Sequence, residues 1–287
     1  MAEPAFTESK WESGDGLGLR YRDYTGPDTK PPLLCLHGLT RNARDFEPLA
    51  ERFAGEWRLI VPDMRGRGQS EYAREAASYR ARSYIDDVVR LLGQLDCGPV
   101  VAVGTSMGGM IAMLMAQARA WPLAGAVLND IGPDLEAAGI ERIRGYVGQG
   151  GNFETWMHAA RHLREQAHAA HPDFAIGDWL AYAKRVMVMT GNGRIAFDYD
   201  MKIAEEFNAP SDGEPFDLWG ALRALAGIPT LALRGELSDL LSAATVAKMQ
   251  AELPGLKAVT VPRVGHPPTL AEPQAQQAIA DLLAEVA

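Results

Sequence analysis

A serine hydroxyl is a weak nucleophile near neutral pH and gains reactivity only from a base within hydrogen-bond reach, itself steadied by an acid. Ser106 stands where such a nucleophile belongs, in Gly104-Thr105-Ser106-Met107-Gly108. The run Val100 to Val103 before it is β-branched and apolar, and Gly109 to Leu114 after it is an apolar helical stretch, so the sequence predicts strand, sharp turn, helix. A serine at such a corner is forced into strained backbone, which gives Gly104 and Gly108 a steric reason to flank it. The backbone N–H of Met107, at the start of the helix, points where an oxyanion would form.

The base is expected at His266, in Val264-Gly265-His266-Pro267, because this loop follows the last apolar strand and reaches back across the strand ends. The preceding strand, Leu231 to Leu233, runs into Gly235-Glu236-Leu237-Ser238-Asp239, and Asp239 is taken as the acid that orients the imidazole. Glu236 and Asp130 are the alternatives. The chain order Ser, Asp, His holds for Asp239 and Asp130 alike.

The elements that position these groups alternate. Phe6 to Tyr24 reads as a hairpin turning at Gly14-Asp15-Gly16, and Leu33 to Leu36 as a strand buried on both faces. A helix over Asn42 to Phe53, a strand at Trp57 to Val61, a helix at Tyr84 to Leu95 and a strand at Gly125 to Leu128 surround the serine corner. Such alternation predicts an α/β fold, a mostly parallel doubly wound sheet of about eight strands, with ligands at the carboxyl ends.

From 133 to 216 the pattern turns helical with no convincing strand, and alternation then resumes with strands at Pro229 to Leu233 and Ala258 to Val261 and a last helix over Pro273 to Val286. The expected organisation is a core over 1–132, a helical cap insertion over 133–216 and the rest of the core over 217–287. Trp156, Trp179 and Met187 are candidates to line a substrate pocket beneath the cap.

A net charge of −9 with scattered lysines and arginines argues against a nucleic-acid partner. No apolar run approaches the ~20 residues needed to span a bilayer, and residues 1–10 lack signal-peptide character, so a soluble cytoplasmic protein is expected. The two cysteines, Cys35 and Cys97, outline no disulfide framework. His158 and His162 are spaced i, i+4 but lack the glutamate of a zinc-protease helix, so no metal is expected. The loop Asp63-Met64-Arg65-Gly66-Arg67-Gly68-Gln69-Ser70 lacks the lysine and spacing of a phosphate cradle, and Arg41 and Arg44 read as surface salt-bridge residues.

Together, His37-Gly38-Leu39, Asp63-x-Arg65-Gly66-x-Gly68-x-Ser70, Gly104-x-Ser106-x-Gly108-Gly109, the acidic loop ending at Asp239 and Gly265-His266-x-Pro268 resemble the α/β-hydrolase fold superfamily, in its capped, bacterial esterase-like branch, over nearly the whole length. That resemblance implies that the backbone N–H of Leu39 joins that of Met107 in an oxyanion hole and that His37 is structural. Family members often place the acid three residues after the strand-end glycine, whereas Asp239 lies four after Gly235.

The expected chemistry is hydrolysis of a small carboxylic ester or lactone through an acyl-enzyme on Ser106, with no cofactor, since two amides meet the developing charge. Hydrolytic carbon–carbon cleavage of a dienoic acid and acyl transfer are rival uses of the same triad, and a ligand-sensing protein is the rival outside enzymology. The helical cap offers a surface for a homodimer.

Overall fold

Residues 5–209 and 216–287 are described by a computed structural model. Part of the predicted cap, 210–215, lies outside them. The chain opens with the hairpin β1 (Phe6–Glu12) and β2 (Gly18–Tyr24), in register from Phe6 opposite Tyr24 to Glu12 opposite Gly18. Then follow β3 (Leu33–Leu36), α1 (Glu47–Phe53), β4 (Leu59–Asp63), α2 (Ala81–Gln94), β5 (Val100–Thr105), α3 (Met107–Gln117) and β6 (Leu123–Asn129). Next come α4 (Ala137–Tyr146), α5 (Trp156–Ala167), α6 (Ile176–Val186), β7 (Met187–Met189), β8 (Ile195–Phe197) and α7 (Lys202–Asn208). The chain closes with α8 (Leu218–Arg223), β9 (Thr230–Gly235), α9 (Ala243–Glu252), β10 (Lys257–Val261) and α10 (Pro273–Val286).

Eight strands form one sheet in the order β1-β2-β4-β3-β5-β6-β9-β10, antiparallel at the β1-β2 and β2-β4 pairings and parallel elsewhere. Period-two alternation divides the strand side chains between two helical layers. Leu33 and Cys35 of β3 join the cluster that holds Leu49 and Phe53 of α1 and Ile279 and Leu282 of α10. Leu34 and Leu36 join Val88 and Leu91 of α2 and Ile111 and Met115 of α3 on the other face. With both faces covered, β3 and β5 are buried at every position, which is why they read as unbroken apolar runs. Each such Leu or Ile stabilises the fold by about 1.5–3 kcal/mol of transfer free energy.

The chain leaves the sheet after β6 and returns at β9, its immediate parallel neighbour, with Val127 opposite Leu231. The excursion has its own core, in which Ala159, Ala160 and Leu163 of α5 meet Trp179, Ala183 and Val186 of α6. It also holds a small hairpin, β7 against β8, with Met187 opposite Phe197, where the sequence predicted none. Strands of three residues are too short to show period-two alternation, which explains the omission.

Candidate active site

Ser106 occupies the corner between β5 and α3 with φ 51° and ψ −116°, left-handed backbone that a serine enters only under constraint. The constraint is the packing of the corner on itself. A Cβ at Gly104 would collide with the backbone nitrogen of Gly109, and one at Gly108 with the carbonyl of Leu36. The hydroxyl-bearing residue is thereby presented on the wall of a cavity of about 560 Å³ at the carboxyl ends of the strands, a wall it shares with His266.

Two backbone amides border the same space. Met107 is the first residue of α3, so its N–H has no acceptor within the helix. Leu39 lies in the turn after β3, and among the described residues no acceptor takes its N–H. The peptide that carries this N–H is held from behind. His37 Nδ1 donates to the Gly38 carbonyl at 2.8 Å, while the Met64 N–H donates to His37 Nε2 at 3.0 Å, which fixes the tautomer. Burial, reinforced by the Arg67 charge, pushes His37 down to about 3, so the ring stays neutral. A Cβ at Gly38 would stand 3.9 Å from that of Ser106, which measures how closely this turn approaches the serine.

The acid beside His266 is Asp130, not Asp239. Asp130 follows β6, is fully buried, and its Oδ2 accepts from His266 Nδ1 at 2.7 Å. Ser238 Oγ donates to the same oxygen at 2.6 Å, and the Gly235 N–H donates to Oδ1 at 2.7 Å, so the carboxylate is fixed from three sides. Asp239, four residues after Gly235, gives its carboxylate to a bidentate pair with Arg142 of α4 at 2.5 and 2.7 Å. Burial works to raise Asp239, but Arg142 outweighs it and holds the carboxyl below its usual range. Glu236 turns outward and accepts from the Arg263 N–H at 2.7 Å.

The cavity wall also departs from expectation. Trp156, Trp179 and Met187 do not line it. Trp179 is fully buried in the seam between α5 and α6, Met187 is buried where β7 begins, and Trp156 packs against that same core. The cavity is faced instead by Tyr182 and Val186, by Leu163 and by Ile140, Ile143 and Tyr146 of α4. Helical periodicity marks an apolar face without saying which neighbour it meets.

Arg41 and Arg44 are salt-bridged as expected, but partly buried rather than on the open surface. Arg41 lines the cavity, pairs with both oxygens of Asp45 at 2.6 Å and donates to the Tyr182 hydroxyl at 2.5 Å. Arg44 reaches the Arg185 carbonyl at 3.0 Å and Asp198 at 2.6 Å, tying the inserted segment to the core. His171, in the turn between α5 and α6, also faces the cavity and went unselected, since an isolated histidine in a loop carries no periodic or motif signal.

The glycine-rich loop after β4 is tied down by hydrogen bonds rather than open to a ligand. Asp63 accepts from the Ala43 N–H at 2.7 Å and the Gln69 N–H at 2.9 Å, and Arg65 joins both oxygens of Asp87 at 2.7 Å. Arg67 donates to the Leu39 carbonyl. Among the described residues no group of three or more His, Cys, Asp or Glu side chains is placed to hold a metal ion, and no helix is long and apolar enough to cross a membrane.

A model of the alpha/beta hydrolase family matches residues 33–281. The chain is similar to the 3-hydroxybutyrate-oligomer hydrolase of Cupriavidus necator, with 35% identity over 269 residues that span 91% of each chain. It is also similar to the 2-(acetamidomethylene)succinate hydrolase of Mesorhizobium japonicum, with 28% identity over 240 residues, 82% of this chain and 81% of that one. The solved structure of an alpha/beta hydrolase from Novosphingobium aromaticivorans matches it with a TM-score of 0.94 and 55% identity, covering 100% of both chains.

Proposed function

Because the chain belongs to the alpha/beta hydrolase family, we propose that it is a serine hydrolase of carboxylic esters, acting on short oligoesters of a hydroxy acid. The observation that carries this reading is the 2.7 Å contact of His266 Nδ1 with buried Asp130, on a ring that shares a cavity with strained Ser106. Ser106 Oγ attacks the ester carbonyl and His266 takes its proton through Nε2. Asp130 holds the opposite N–H and stabilises the imidazolium. The Leu39 and Met107 amides receive the oxyanion. His266 then protonates the departing alkoxide, and a water molecule repeats the sequence on the acyl-enzyme.

The inserted segment acts as a cap that limits the cavity to a small substrate, either an open ester or a lactone. The oligoester preference is supported by the similarity to the C. necator hydrolase along nearly the whole of both chains. Carbon–carbon hydrolysis of a dienoic acid requires an arginine available for the substrate carboxylate. Arg41 and Arg142 do face the cavity, and the similarity to an ester hydrolase along nearly the whole chain is what favours the ester.

The test is steady-state hydrolysis of 4-nitrophenyl esters of graded acyl length and of the linear dimer of 3-hydroxybutyrate by wild type and Ser106→Ala, beside a dienoic acid. Repeated turnover of esters and dimer by wild type alone is expected. Inert esters with cleavage of the dienoic acid would overturn the assignment, and at most one product per protein molecule would indicate a ligand sensor.

A further inference from the structure

His171 is a histidine that the triad does not use, on the wall of the triad's own cavity and only 2% exposed. Its ring is clamped: Phe174 stacks on it with centroids 4.6 Å apart at 17°, Trp179 stands edge-on at 6.1 Å and Tyr182 lies at 5.8 Å. Its Nδ1 is buried without a protein partner. With Nδ1 shut off and no hydrogen bond made to Nε2 among the described residues, Nε2 of this clamped ring is the position that a ligand in the cavity can complete.

The position of the ring says which part of the ligand. The Gly265 N–H donates to the Ala170 carbonyl at 2.7 Å, fastening the turn that bears His171 to the loop that bears His266. His171 therefore lies on the side of the cavity where His266 returns its proton to the departing alcohol. Its surroundings say what charge. Burial pushes the imidazole down to about 4, and the guanidinium groups of Arg41, Arg185 and Arg142 press it the same way. Aspartates offset Arg41 and Arg142, but among the described residues no carboxylate pairs with Arg185. A neutral donor in a positive field suits an anion.

We propose that His171 receives the carboxylate of a hydroxy-acid leaving group, so that the enzyme selects esters whose alcohol bears a carboxylate over esters of plain alcohols. This deepens, and rests on, the ester hydrolysis assigned to Ser106. His171 binds and orients the leaving group, and the bond-breaking steps remain with Ser106 and His266.

Two esters isolate the carboxylate: 3-(butanoyloxy)butanoate and sec-butyl butanoate share the acyl group and the secondary alcohol carbon. The wild type is expected to favour the first by roughly tenfold or more in kcat/KM. His171→Phe removes the ring nitrogens while keeping an aromatic ring, and should abolish the preference with less than about threefold loss on sec-butyl butanoate. His171→Gln places a donor near the Nε2 position and should restore part of the preference. Equal losses on both esters in His171→Phe, or an unchanged ratio, would overturn the subsite and leave ester hydrolysis standing. Inertness of the wild type toward both would overturn the ester reading, and the subsite with it.

Discussion

The Arg67 guanidinium grips the Leu39 carbonyl with two hydrogen bonds, from Nε at 2.9 Å and Nη2 at 2.7 Å. The side chain is fully buried, and Nη1 donates to the Arg65 carbonyl at 2.7 Å and the Tyr84 hydroxyl at 2.8 Å. Among the described residues no carboxylate pairs with it, so a whole positive charge stands behind the turn whose Leu39 N–H is proposed to receive the oxyanion. Arg67→Lys keeps the charge but cannot reproduce the planar fork. We expect kcat to fall by roughly tenfold or more with KM nearly unchanged, since the charge being met appears only in the transition state. A lowered melting temperature with unaltered kcat would reduce Arg67 to scaffold.

Two aspartates compete for the third place in the proposed triad, and substitution separates them. Asp130→Asn should lower kcat by roughly 10⁴-fold, because an amide there no longer stabilises the imidazolium. Asp239→Asn, which loosens only a half-buried pair with Arg142, should cost no more than a few-fold. Comparable losses in the two variants, measured on one ester under identical conditions, would contradict the assignment.

Glycines at the serine corner and in α2 should respond oppositely to alanine. Gly108→Ala drives a methyl into the Leu36 carbonyl and should destabilise by about 3 kcal/mol or more, or abolish soluble expression. Gly93 lies within α2 with open space where a Cβ would stand, so Gly93→Ala should stabilise by about 0.5–1 kcal/mol in urea denaturation.

Three buried groups shape stability against pH. His37 at about 3 and His171 at about 4 stay neutral in the native state, while the unfolded chain takes up protons below about 6.5. Their full contribution is therefore present above pH 6.5 and declines on acidification, by about 1.4 kcal/mol per pH unit for each. Asp63 acts in the other direction: burial raises it to about 6 from an ordinary 3.8, so between these values the native state holds a proton the unfolded chain has released, offsetting one histidine. Urea midpoints at pH 7, 6 and 5 for wild type and His171→Phe check this. The stability gap should narrow in favour of the variant as pH falls below 6.5, and a constant gap would show that His171 titrates normally.

The sheet, the serine corner and His266 as a candidate are legible in the sequence because each depends on neighbours in the chain: a buried strand, small flanking residues, a loop after a strand. The acid is not, because it depends on which of two adjacent strand ends comes nearest the histidine. Asp130 and Asp239 both follow strands in the right chain order, and only the packed sheet gives one to His266 and the other to Arg142. The same limit applies to the cavity wall. Trp179 and Tyr182 are neighbours on α6, yet the first fills the seam with α5 and the second faces the cavity, a division made by the placement of α5 rather than by the pattern within α6.

Active-site groups are often held against the interests of the fold, and replacing one then yields a more stable, inactive protein. Asp130 breaks that trade. Its carboxylate is the common acceptor for the end of β9 through Gly235, for the following loop through Ser238, and for the loop after β10 through His266. One side chain both holds His266, the base of the proposed mechanism, and stitches three consecutive strand ends together. Under that mechanism, selection for a sturdy scaffold and selection for a fast enzyme pull on this position in the same direction.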